Sequence, residues 1–263
     1  MELNRTYNCD CSAGISELDD NSISLVVTSP PYAMQRKHQY GGVSEKDYPM
    51  WLADWMELLK PKLKENGSVC INIRPHIKNG EISDYVLKTR LLLRERGWKE
   101  CEELIWIKTT SPPMGSVERP RRAWESVLWF SKTTKPKCYP KANGTQSNRI
   151  GFAGSKFEEG GVSHIHAGQK PPTQEGVARC VDYVAIGTGN VEKGYQHPAM
   201  FPPELPEYLI KMLTDENDVV LDPFMGSGTT GRVAEKLNRN YIGFEISTEY
   251  CEMANKRLES ESD

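Results

Sequence analysis

The sequence predicts one α/β domain built on a largely parallel sheet, and three observations carry that prediction. Short runs such as ISLVVT (Ile23 to Thr28) and DVVLD (Asp218 to Asp222) are apolar, β-branched and free of alternation, which suits strands covered on both faces. Strand-like and helix-like stretches alternate along most of the chain. A length of 263 residues suffices for one substantial domain with an insertion, or at most two small domains.

The elements follow in order. ISLVVT ends abruptly in Ser29-Pro30-Pro31-Tyr32. Trp51, Trp55, Leu58 and Leu59 then recur at helical spacing in YPMWLADWMELLKPKL, and Pro61 with Asn66-Gly67 closes that helix before the strand SVCINI. ISDYVLKTRLLLRER reads as a second helix ended by Gly97, and ELIWIK (Glu103 to Lys108) as the next strand. SPPMGSVERPRR is a Pro- and Arg-rich loop with no room for a crossover helix, so AWESVLWFS (Ala123 to Ser131) should run antiparallel to ELIWIK.

From Lys132 to Gln196 the chain is Gly-rich and poor in aliphatic clusters, which reads as an inserted loop-rich region for recognition or as a lid. The same composition also suits a floppy segment. Regular structure returns in HPAMFPPELPEYLIKML, a helix opened by Pro203 and Glu204. DVVLD, the turn PFMGSGTT, the helix GRVAEKLN, the strand YIGFEI with Glu245 at its tip, and a last helix STEYCEMANKRLE complete the chain.

Composition excludes several classes of function. With 38% hydrophobic and 26% charged residues and no apolar run of bilayer length, no membrane role is expected. The opening MELNRTYNCD lacks signal-peptide character, so a reducing cytosol is the expected location. Seven scattered cysteines, an odd number, do not resemble a disulfide framework. Cys9 and Cys11 form C-x-C, and His164 and His166 form H-x-H, but neither has a second half at zinc spacing, so no metal is expected. The net charge of -3 argues against a uniformly basic nucleic-acid binder. It conceals two blocks: Ile105 to Arg149 carries nine basic and two acidic residues, whereas Asp215 to Asp263 carries eleven acids and five Lys/Arg.

Two stretches carry candidate chemistry. In the first, a strand, a glycine turn, a helix, a second strand and an acidic tip form half of a nucleotide site. Gly226 and Gly228 let the backbone approach a ligand, and Glu245, 23 residues after Asp222, can bind two ribose hydroxyls. The turn is neither G-x-G-x-x-G nor a P-loop, which favours a nucleoside ligand without phosphates over a pyrophosphate. A purely structural turn would use the same glycines. In the second, consecutive prolines lock φ at the end of a buried strand and make a rigid acceptor edge, while Tyr32 offers a flat face for a base, a stack of roughly 1–3 kcal/mol. A plain turn followed by a packing tyrosine is the alternative.

Together, TSPPY near the N-terminus and DPFMGSGTT near the C-terminus resemble the amino-directed DNA methyltransferases, and the motif order resembles their beta group, SPPY type. The resemblance implies a Rossmann-like seven-stranded methyltransferase sheet, circularly permuted between its second and third strands. DVVLD, YIGFE, RTYNCD, ISLVVT, SVCINI, ELIWIK and AWESVLWFS would be its strands, with 1–131 the catalytic half, 132–196 a target-recognition insert and 197–263 the cofactor half. It implies S-adenosyl-L-methionine as cofactor, lined by Asp222, Phe224, Gly226, Gly228 and Thr229, with Glu245 on the ribose, Asp10 at the adenine amino group, and Pro198 and Phe201 toward the methionine end.

Ser29, Pro30, Pro31 and Tyr32 would be catalytic toward a flipped base in double-stranded DNA, and Arg119, Arg121, Arg122, Lys132, Lys135 and Lys137 would contact its phosphates. Among the seven cysteines none sits in a Pro-Cys motif, so direct transfer without a covalent adduct is expected. Serine at the first motif position leans to cytosine N4 over adenine N6. The rivals are an RNA or protein amide methyltransferase and a non-catalytic DNA-binding regulator. A homodimer and a cognate restriction endonuclease are the protein partners the resemblance suggests.

Overall fold

The computed structural model describes residues 1–33, 42–110, 119–144, 146–147, 176–187 and 201–259. In chain order these form β1 (Arg5–Asn8), α1 (Cys11–Ser16), β2 (Ile23–Thr28), α2 (Tyr48–Leu59), β3 (Leu63–Ile73), the hairpin β4 (Ile77–Lys78) and β5 (Glu81–Ile82), α3 (Tyr85–Glu95), β6 (Lys99–Lys108) and β7 (Trp124–Ser131). A small pair, β8 (Gln146–Ser147) and β9 (Gly176–Val177), precedes β10 (Tyr183–Ile186), α4 (Glu204–Leu213), β11 (Val219–Asp222), α5 (Thr229–Lys236), β12 (Asn240–Glu245) and α6 (Thr248–Glu259). Among the described residues no helix is long and apolar enough to cross a membrane.

The main sheet has the order β1-β12-β11-β2-β3-β7-β6-β10. Each pairing is parallel except those of β7, which runs antiparallel to both β3 and β6. All seven expected strands are present, and the short Pro/Arg-rich connection does reverse the chain between β6 and β7. An eighth strand, β10, joins the edge beside β6 from the segment read as insert. Four residues of YVAI are too few to show a period in sequence; their partner strand decides their conformation.

The chain divides into two compact units, Met1–Cys138 with Asp182–Asp263, and Tyr139–Val181. The first holds the sheet, and the second holds the β8–β9 pair.

Local chemistry explains the element boundaries. All six residues of β2 are buried, as an unalternating run requires. α2 buries Tyr48, Leu52, Trp55, Met56 and Leu59 at i, i+4, i+7, i+8 and i+11 spacing, which leaves Trp51 at the margin and Leu58 41% exposed. β3 starts at Leu63, ahead of Asn66-Gly67, because Ile23 already pairs with Leu63 there. The six-residue α1 has no apolar period to betray it; Asp10 caps it by accepting from Ser12 N at 2.9 Å.

One core lies between the sheet and α1, α2 and α3, where Val26, Val69, Ile71, Leu128 and Phe130 meet Ile15, Leu52, Trp55, Met56 and Trp98. Leu25 and Val27 of β2 alternate away from that cluster, and α4 and α5 cover the opposite face.

The chain continues from β2 toward β3 on one side and from β11 toward β12 on the other, although β2 and β11 are neighbours. Strand order therefore reverses between them, and the crevice at their carboxyl ends is where such sheets hold ligands.

Close packing of α1 on the sheet gives the first prediction. A Cβ at Gly14 would lie 2.5 Å from the ring of the fully buried Phe244. Gly14→Ala should therefore destabilise the fold by about 1–3 kcal/mol, measured by urea unfolding, and an unchanged midpoint would refute this packing.

Candidate active site

Two loops leave the sheet side by side. Thr28 ends β2 and Asp222 ends β11, and the Thr28 hydroxyl donates to Asp222 Oδ1 at 2.7 Å. Asp222 also accepts from Thr230 Oγ1 at 2.6 Å and from the Phe224 backbone N–H at 3.1 Å. The carboxylate thus ties the serine-proline loop, the glycine turn and the first turn of α5 together. It is 1% exposed, and burial pushes its pKa up to about 6 against the pull of these donors. Asp222, expected to line the cofactor pocket, accepts three of the chain's own donors there.

The glycine turn is held from its other side by Glu245. Its Oε2 accepts from Gly226 N at 2.9 Å, and its Oε1 accepts from Ser247 N at 2.8 Å. Each carboxylate oxygen has a second lone pair, so a diol can still be accepted. Burial raises the Glu245 pKa. Gly226 and Gly228 have φ of 55° and 86°, and Gly228 is the N-cap of α5, a left-handed position that an L side chain rarely takes. Thr229 follows at the first helical position, buried, with Arg257 Nη1 3.4 Å from its hydroxyl and 3.0 Å from the Ser227 carbonyl.

Aromatic side chains wall the turn. The Phe224 ring centroid lies 5.6 Å from Trp51 and 5.8 Å from Trp55 of α2. Sequence placed those tryptophans on a helix but gave no sign that they reach the turn. Asp10 sits exposed just past β1, at the same end of the sheet, with one oxygen committed to the α1 cap. Phe201 is buried just before α4, and Pro198 lies outside the described residues.

At the neighbouring loop, Pro30 is buried and Ser29, Pro31 and Tyr32 are partly exposed. The Tyr32 phenol donates to Glu125 Oε2 at 2.7 Å and has Asn72 Oδ1 at 3.5 Å, and the Ser29 side chain hydrogen-bonds the same phenol. Burial, then the Glu125 charge, pushes the phenol well above its ordinary pKa, which keeps it a donor. Glu125 pairs through Oε1 with Lys108, whose ammonium lies 4.6 Å over the Trp106 ring. Nothing in the sequence marked Glu125 or Asn72, because their strands are separated from Tyr32 by 93 and 40 residues.

The proposed phosphate contacts fall at two ends of the sheet. Arg119 donates to the Gly80 carbonyl at 2.6 Å and Arg122 to the Pro75 carbonyl, both beyond the carboxyl end of β3, and exposed Arg121 lies between them. Arg74 joins them by donating to the Arg122 carbonyl at 3.2 Å, and burial, then the Arg122 charge, lowers its pKa to about 10.

Lys132, Lys135 and Lys137 instead follow β7 to the opposite end, where β3 begins. Lys132 reaches the Leu63 carbonyl at 2.7 Å and Glu65 at 3.4 Å, and Lys137 reaches Asp215 at 2.7 Å and Asp218 at 3.0 Å. The antiparallel course of β7 separates the two basic groups.

The N6_N4_Mtase family model, described as DNA methylase, matches residues 23–256. The chain is 32% identical over 262 residues to the type II methyltransferase M.PvuII of Proteus hauseri, a match covering 90% of this chain and 78% of that protein. The solved PvuII DNA methyltransferase, cytosine-N4-specific, superposes with a TM-score of 0.72 at 28% identity, covering 97% of this chain and 89% of that one. An M1.HpyAVI–SAM complex superposes with a TM-score of 0.63 at 24% identity, covering 97% of this chain and 98% of that one, a likeness of fold.

The buried Asp222 carries a pH signature. Its pKa rises from an ordinary 3.8 to about 6 on folding, so its proton stabilises the fold fully below pH 4, and that contribution is lost as pH rises through 6. Asp222→Asn removes the titration. The stability of the native chain relative to D222N, from urea unfolding, should fall between pH 4 and pH 7; a flat or rising difference would refute the assignment.

Proposed function

This chain belongs to the N6/N4 DNA methylase family and is a DNA methyltransferase, and we propose that it moves the methyl group of S-adenosyl-L-methionine onto cytosine N4 in double-stranded DNA. The observation that carries this reading is the adjacency of the two loops, joined by the Thr28–Asp222 bond at the reversal of strand order.

The residues present fit S-adenosylmethionine. Glu245 offers a buried carboxylate for the two ribose hydroxyls, Gly226 and Gly228 keep the turn free of side chains, and Phe224 backed by Trp51 supplies an apolar wall. Asp10 would accept from the adenine amino group, and Phe201 and Pro198 would bound the methionine end. When bound, this cofactor supplies an electrophilic methyl on a sulfonium.

An exocyclic base amine is a poor nucleophile, because its lone pair is delocalised into the ring. Ser29 Oγ and the Pro30 carbonyl would accept hydrogen bonds from its two N–H groups, letting the nitrogen become more pyramidal and direct its lone pair at the methyl carbon. The new N–C bond would replace the sulfonium S–C bond, leaving a neutral thioether, and one N–H proton would be lost to solvent. Pro30 and Pro31 hold this acceptor edge rigid, since their φ angles are fixed by the ring. The target base leaves the duplex at a cost of about a few kcal/mol, offset by the Tyr32 face and the hydrogen bonds of the pocket. Arg119, Arg121 and Arg122 lie on the matching end of the sheet to hold phosphates, with Lys132, Lys135 and Lys137 too distant to share that surface.

Serine at the head of the motif and similarity to a cytosine-N4-specific enzyme favour cytosine N4 over adenine N6. The type II names of the relatives support a restriction–modification setting, with a cognate endonuclease reading the same short site. A second copy of this chain is the other protein partner this reading includes.

Nucleoside mass spectrometry of duplex DNA treated with the protein and S-adenosylmethionine should show N4-methylcytosine. N6-methyladenine alone would move the reading to adenine, and methyl transfer to RNA or protein but not to DNA would overturn it. Ser29→Ala should lower the single-turnover rate by about 100- to 1,000-fold, the loss typical for one donor or acceptor acting on the reacting group.

A further inference from the structure

Glu125 stands out within the basic stretch. It is buried on β7, and its side chain is 11% exposed, an unfavourable place for a carboxylate unless partners repay its lost hydration. Its two oxygens are divided between two tasks: Oε1 meets Lys108, and Oε2 accepts the Tyr32 phenol at 2.7 Å. A carboxylate serving Lys108 alone would have no need to face the motif tyrosine. Asn72, the second acceptor near the phenol, is itself fixed by donating to the Ser126 carbonyl at 3.2 Å. The far end of Tyr32 is thus held by β3, β6 and β7 together, while Pro30 and Pro31 fix its backbone end.

We infer that Glu125 is a positioning residue for methyl transfer, fixing where the Tyr32 ring lies against the target base, with Lys108 holding Glu125 in turn. This rests on the functional reading above. A stacking face is useful only at a defined angle, and a ring anchored by Cα alone is free to rotate about two side-chain bonds. Anchoring the phenol fixes the direction of the ring axis, and the in-plane preference of the phenolic O–H then biases rotation about it. Because the Ser29 side chain bonds the same phenol, the acceptor edge and the stacking face are set by one chain of hydrogen bonds ending on Glu125 and Lys108.

The test is a double-mutant cycle on single-turnover methyl transfer to duplex DNA, with S-adenosylmethionine affinity measured alongside. Tyr32→Phe keeps the ring and loses the anchor, Glu125→Ala loses the acceptor, and Glu125→Gln keeps an acceptor without the charge. E125A and Y32F should each slow transfer by about tenfold or more, the double variant should be no slower than E125A, and E125Q should recover most of the loss. Cofactor affinity should be unchanged throughout.

Losses that multiply in the double variant, Y32F at the native rate, or E125Q as slow as E125A would each overturn the positioning role and leave Glu125 as the counter-ion of Lys108. Should E125A fail to fold, Y32F and E125Q decide the matter alone by the same criteria. Native protein that transfers no methyl to DNA would overturn the functional reading and this role with it, whereas active protein with multiplying losses overturns the role only.

Discussion

Asp222 is a single carboxylate that accepts three hydrogen bonds at the point where two half-sites meet. Thr28 brings the end of β2, Thr230 brings the first turn of α5, and the Phe224 N–H brings the glycine turn. A buried carboxylate in that position is costly, and its donors are what make it tolerable. The cost secures registry. Parallel neighbours β2 and β11 come from opposite ends of the chain, and a bond between their last residues fixes how far each loop projects into the same crevice. Everything proposed for the chemistry, the acceptor edge at Ser29 and the cofactor cradle at Gly226, is measured from that anchor.

The same device recurs around it. Glu245 ties the glycine turn to the tip of β12 through the Gly226 N–H, and Glu125 ties Tyr32 to β7. Three buried acids thus stand at three strand ends, each accepting hydrogen bonds from a loop that the site uses. Loops are the least constrained parts of a sheet protein, so a site assembled from them needs such attachments if its geometry is to be reproducible. The direction of β7 has an electrostatic consequence as well. It carries the chain from Arg122 at the site to Lys132 and Lys137 at the other end, where acids and a carbonyl absorb the positive charge. A surplus that is continuous in sequence is therefore split in space, with Arg119, Arg121 and Arg122 at the end of the sheet that carries the motif.

Strands buried on both faces announce themselves, and most of the sheet was legible as apolar runs with turn residues at their ends. ISLVVT and DVVLD are examples, whereas β1, mostly polar, was reached only through the family resemblance. The glycine turn and the acid after it were legible as well, because the positive φ at two positions of the turn favours glycine there. Less legible were α1, whose six residues carry no period, and β10, whose four residues are strand only because β6 stands beside them. Glu125, Asn72 and Trp51 reach the site through strand pairing and helix packing, and no spacing rule connects them to Tyr32 or Phe224.

By itself the sequence determined the sheet class, the order of the two motifs and the type of chemistry each could hold, since these depend on local periodicity and on backbone angles that particular residues enforce. Only the tertiary structure decided that Asp222 accepts the chain's own hydroxyls, that the basic stretch divides, and that the motif tyrosine is anchored by a glutamate 93 residues away. The reason is physical. A carboxylate's role is set by which donors surround it, and in a sheet those donors come from neighbouring strands whose separation along the chain carries no record of their adjacency.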